Sequence, residues 1–136
     1  MRASVPVVLG VCASLALLTG CGASEEERRF DAFCEQAPAL LEDITFQLRA
    51  VPSGADNAGE VLAEQVTKME SVQAPQDVAD RWDRLVTAMR DMRDLVARAD
   101  PDDPSANADL VPELERLQPE LVDSGTAVDD WGKANC

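Results

Sequence analysis

The sequence predicts an all-α protein, an antiparallel up-down-up-down four-helix bundle, on three observations. Apolar residues recur at three and four spacing in four separate stretches. Pro, Gly, Asn and Asp break the pattern between those stretches, and no segment alternates apolar with polar residues as a half-buried strand would. At 136 residues the chain has room for one domain with its own core.

The first element is a leader. Arg2 supplies a minimal positive start, and Val5 to Leu18 is an uncharged, mostly apolar run of 14 residues. At about 1.5 Å per helical residue it reaches roughly 21 Å, short of the roughly 30 Å hydrocarbon core, so a signal peptide is favoured over a transmembrane helix. Leu18-Thr19-Gly20-Cys21 follows directly and resembles the lipobox of bacterial lipoproteins. In that family a diacylglyceryl group joins the cysteine sulfur and a peptidase then cuts before it, preferring a branched apolar residue at −3 and small residues at −2 and −1. Leu18, Thr19 and Gly20 fit those places. Cys12 does not compete, because Val11 is bulky at −1 and too little apolar chain precedes it. The resemblance implies a signal peptide over 1–20, a lipidated N-terminus and short linker over 21–29, and a helical domain over 30–136. It further implies a protein labelled by palmitate, extracytoplasmic, and held on the cell membrane through Cys21.

Under that reading Cys12 leaves with the leader and Cys21 is consumed by lipid. Cys34 and Cys136 remain, at opposite ends of the mature domain and in an oxidising compartment, so a disulfide between them is the natural inference.

Helix one is expected to start at Ser24-Glu25-Glu26-Glu27, which has the form of a capping box. Its stripe is Phe30, Phe33, Cys34, Ala37, Leu41, Ile44 and Leu48, with a kink or short break expected at Pro38, and Val51-Pro52-Ser53-Gly54 ends it. Helix two spans about Asn57 to Ser71, with Val61, Leu62, Gln65, Val66 and Met69 on one face. Helix three has Pro75 in its first turn, the stripe Val78, Trp82, Leu85, Val86, Met89, Met92 and Val96, and Asp100-Pro101 as its stop. Asp77/Arg81, Asp80/Arg84 and Asp94/Arg98 are acid-to-base pairs at i, i+4 on its other face. Helix four carries Leu110, Leu114, Leu117, Leu121, Ser124, Val128 and Trp131, which reads as a continuous buried seam, bent at Pro119.

Short connections favour antiparallel neighbours. In that topology the start of helix one, the start of helix three and the end of helix four share one end. Phe30, Phe33, Trp82 and Trp131 should therefore gather beside the Cys34 to Cys136 bridge, with Phe46 towards the other end. This aromatic group reads first as core and, as an alternative, as a hydrophobic pocket for a small ligand.

Composition narrows the function classes. Asp and Glu number 26 against 12 Lys and Arg, a net charge of −14, and loss of the leader with Arg2 makes the domain one unit more negative. Such a surface repels phosphate backbones and anionic headgroups, so nucleic acid is a poor partner. With no His, no Tyr, no CxxC, no GxSxG and no Gly-rich phosphate loop, the chain lacks the usual equipment of catalysis, and neither an enzyme nor a cofactor is expected. Helical neighbours such as Glu113 and Glu115 read as a solubilising face. The oxygen-rich stretch from Asp100 to Asp109 lacks the central Gly and the placed Glu of an EF-hand and reads as a solvated loop, and the methionines of helix three read as core, so no metal is expected.

The lipobox, Phe33-Cys34 early in the first helix, Ala74-Pro75 leading to Asp80-Arg81-Trp82, and the closing Trp131 to Cys136 together look like the small lipoproteins common in actinobacteria. That resemblance implies an exported helical domain and brings no active-site residues with it. The expected role is a non-catalytic binding or interaction module in the cell envelope, whose partners are the bilayer, through the diacylglyceryl-cysteine, and an envelope or membrane protein.

Overall fold

A computed structural model describes residues 23–50 and 57–136. Residues 1–22, which hold the expected leader and Cys21, and residues 51–56 lie outside the described residues, as does the side chain of Leu48. The described residues form four α-helices: α1 (Glu25–Ala50), α2 (Ala58–Ser71), α3 (Gln76–Arg98) and α4 (Val111–Asn135), with a 3₁₀ helix over Pro104–Leu110 leading into the last. They make an all-α four-helix bundle. Among the described residues no helix is long and apolar enough to cross a membrane.

The capping box at the head of α1 is formed as the sequence implies. Glu27 N–H donates to Ser24 Oγ at 3.1 Å, and Ser24 N–H donates to Glu27 Oε2 at 2.6 Å. Two amides that the helix start leaves without partners are thereby satisfied. The helix continues through Pro38 to Ala50 without the expected break, and α4 likewise continues through Pro119. Both prolines are exposed, so each ring points to water instead of into the core. Pro75 stands one residue before α3, at its N-cap with extended backbone (φ −65°, ψ 157°), where a missing N–H costs nothing.

α3 is the centre of the bundle. It packs most extensively against α4 and next against α2, while α1 touches α4 at few places. Its buried face is correspondingly wide: besides Val78, Trp82, Leu85, Val86 and Met89 it includes Ala88 and Leu95, which the sequence stripe omits. Met92 and Val96 are only half-buried. The continuous seam expected on α4 is interrupted. Leu117, Val128 and Trp131 are buried, whereas Leu114, Leu121 and Ser124 are half-buried, because α1 covers that face incompletely.

The three expected ion pairs on α3 do not form either. Arg81 and Arg98 donate to the backbone carbonyls of Asp77 (3.4 Å) and Asp94 (3.2 Å), and Asp80 makes no ion pair with Arg84. Arg98 turns instead to Glu113 on α4. Partners on the next helix recur along the bundle: Lys68 meets Asp43 at 3.5 Å, joining α1 to α2, and Arg90 meets Glu70 at 2.6 Å, joining α2 to α3. Each pair is half-exposed and contributes little stability, but together they tie every helix to its successor in one register.

Candidate functional site

The two ends of the bundle differ in construction. At one end Cys34 and Cys136 are joined by a disulfide, with Cα atoms 5.4 Å apart and 102 residues between them in sequence. Around it stand the four aromatic residues that the topology brings together. Phe33 makes edge-to-face contacts with Trp82 (centroids 5.2 Å, 85°) and Trp131 (5.6 Å, 78°), and Phe30 meets Trp131 at 5.8 Å. These are the separations and angles at which ring quadrupoles attract. The Trp82 indole N–H donates to the Met69 carbonyl at 3.3 Å, so its one polar atom is satisfied inside the core.

The rings fill the space between them with one another. Phe33, 2 % exposed, borders two recesses, of about 370 Å³ beside Arg28, Arg29 and Gln73, and of about 200 Å³ beside Leu41, Val128 and Cys136. Neither recess is lined by Phe30, Trp82 or Trp131.

At the opposite end the N-terminus of α2, the C-terminus of α3 and the start of α4 border a half-open cavity of about 780 Å³. Its walls are mostly apolar, with Leu95, Val96, Leu110, Val111 and Leu114 prominent, and among the described residues its charged lining is Glu60 and Asp100. The wall from 99 to 110 is the oxygen-rich stretch. Its side chains bind its own backbone: Asp100 Oδ1 accepts from the amides of Asp102 (2.9 Å) and Asp103 (3.1 Å), and Asn107 makes two bonds of 2.8 Å with the Asp100 backbone. Asp103 caps the 3₁₀ helix by accepting from the Ser105 amide at 3.0 Å and from its hydroxyl. The hydroxyl and amide of Ser105 hold the Asp103 carboxyl below its ordinary value, against a smaller opposing effect of desolvation. The acids of this loop thus shape a wall, and among the described residues no group of three or more His, Cys, Asp or Glu is arranged to hold a metal.

Two further side chains bear on the site. Gln65 lies on the core stripe of α2 at 2 % exposure, and its Oε1 accepts no hydrogen bond from the protein. Phe46 is 68 % exposed and stands apart from the aromatic group. Sequence periodicity located the aromatic end, because each ring sits on a stripe. The cavity escaped it, because a space between helix ends leaves no mark on any single helix. Compared with known protein families, curated proteins and solved structures, the chain matches none, so what the site can do is argued from its own residues.

Proposed function

We propose that the chain is an exported lipoprotein, cut before Cys21 and anchored by diacylglycerol on that cysteine, whose bundle is a non-catalytic binding module held against the membrane. The observation that carries this reading is the distance from lipobox to fold. α1 starts at Glu25, so only Gly22, Ala23 and Ser24 separate the cysteine from the helix. At about 3.4 Å per residue that tether spans only about 10 Å. The first turn is moreover part of the bundle, since the Gln76 amide at the head of α3 donates to the Glu26 carboxylate. Two or three acyl chains give durable anchoring without help from charge, which suits a domain too acidic to be drawn to anionic lipid.

In this arrangement the disulfide end lies next to the bilayer. α1 has 26 residues and is about 39 Å long, so the cavity end projects outward by about that much. A neighbouring membrane or envelope protein is the partner within reach. The test is Cys21→Ser in the native host: palmitate labelling should vanish, and the protein should appear in the medium or as uncleaved precursor. Labelling and fractionation identical to the wild type would refute the anchor. A long Gly/Ser spacer inserted after Ala23 should impair function if proximity to the membrane matters, while full rescue by an untethered domain would point to a diffusible carrier.

A further inference from the structure

We infer that the cavity at the end of the bundle remote from the disulfide is a binding site for an apolar ligand that carries a positive charge. The inference deepens the reading of the domain as a binding module and is independent of the lipid anchor.

Size and lining come first. About 780 Å³ lies within the range of small-molecule sites, and the walls offer the branched side chains of Leu95, Val96, Leu110, Val111 and Leu114. Leu95 is buried, Val96, Leu110 and Leu114 are half-buried and Val111 is exposed, so a ligand here would cover apolar surface that the helices leave open.

The charge of the site selects the ligand. Among the described residues Glu60 and Asp100 are the charged ones lining the cavity, and neither forms an ion pair with another described residue. The nearby cation, Arg98, is turned to Glu113. Two carboxylates beside a low-dielectric wall repel fatty acids and other anionic amphiphiles and attract an ammonium or guanidinium head. Asp100 is held in place, since two backbone amides bind one of its oxygens and Asn107 clamps its backbone. The wall is therefore built before a ligand arrives, which lowers the cost of ordering it.

Gly59 supplies a probe of the site. It lines the cavity within α2, and a Cβ built on it meets no atom within 4 Å. A Cβ there would enter open space, so Gly59→Leu adds bulk at one wall of the cavity, and circular dichroism checks that the helix is kept.

The experiment uses the mature chain, residues 21–136 with Cys21→Ser, since the core, the caps and the disulfide all lie within it. Decyltrimethylammonium, decanol and decyl sulfate are titrated below their aggregation limits while methyl and indole NMR signals are followed. The methyls of Val96 and Leu114 should shift with decyltrimethylammonium at least about tenfold more tightly than with decyl sulfate, with the Trp82 and Trp131 indoles unmoved. Gly59→Leu should weaken binding about tenfold or more, and Glu60→Gln should narrow the gap between cation and alcohol with the fold unchanged by circular dichroism. Binding that shifts the indoles instead would place the ligand at the aromatic end and overturn the inference. So would equal affinity for all three probes, no saturable shift at Val96 and Leu114, or contacts in the free protein from Val51 to Leu114, which would assign the cavity to the chain's own 51–56 stretch.

Discussion

Single side chains in this bundle divide into those whose role is written in the local sequence and those whose role depends on what surrounds them. Ser24 and Glu27 belong to the first kind: the spacing alone implies the two reciprocal bonds that form. Gln65 belongs to the second. Its place on the stripe of α2 marks it for burial, yet only the packed structure shows that its carbonyl oxygen has no donor. A buried polar atom without a partner carries its full desolvation cost, so Gln65→Met, similar in volume, should stabilise the protein by about 1 kcal/mol or more. Urea unfolding monitored by tryptophan fluorescence measures this, and a loss of stability would mean that the oxygen is satisfied by solvent. Asp103 offers a pH-dependent counterpart. Because its folded pKa lies below the ordinary 3.8, its contribution is present above that value and is lost as the pH falls through the folded pKa. The Ser105 amide should therefore lose protection from hydrogen exchange on acidification below about pH 4. Asp103→Asn, which keeps a capping oxygen but no charge, should flatten that dependence, and an unchanged acid limb would disprove the assignment.

Helices differ in how closely burial follows their sequence stripes. α2 follows its sequence stripe closely, with Leu62, Gln65, Val66 and Met69 all buried. The wider face of α3, with Ala88 and Leu95, reflects contact with two helices, and no periodicity argument distinguishes one neighbour from two. α4 errs in the other direction. Its repeat from Leu110 to Trp131 promises a continuous seam, but α1 covers it sparsely and burial is complete only at Leu117, Val128 and Trp131. The two kinds of position on α4 should respond differently to truncation. Leu117→Ala, at a fully buried site, should cost about 2 to 5 kcal/mol, and Leu121→Ala, at a half-buried one, clearly less. Equal costs in chemical denaturation would show that α1 closes over α4 more completely than the structure has it. Inside the helices, exposed Pro38 and Pro119 pass without a break, since each removes one backbone hydrogen bond that the packing of a long helix outweighs.

For the whole molecule, the asymmetry between a pinned end and an open end governs stability. The topology was readable from connection lengths, and the coincidence of Cys34 and Cys136 at one end of an antiparallel bundle was its independent check, whereas the cavity at the far end was not readable at all. α1 is joined to α4 by the disulfide and by edge-to-face contacts of Phe30 and Phe33 with Trp131, all at the pinned end, so the bridge secures a helix pair with few other contacts. Linking residues 102 apart restricts the unfolded chain, and in the chain-entropy model such a loop contributes on the order of 4 to 5 kcal/mol. That is a large part of the roughly 5 to 15 kcal/mol typical of a domain. Reduction should therefore lower the melting temperature by well over about ten degrees, and α1 should be the first element to lose protection, because α3 packs extensively against α4 and α2 whereas α1 packs sparsely against its neighbours. Hydrogen exchange on the oxidised and reduced forms separates the two contributions. Preferential opening of α1 after reduction, with α3 and α4 still protected, is the expected pattern; uniform loss across all four helices would mean that the bundle stands or falls as one cooperative unit and that the bridge acts on the unfolded chain alone.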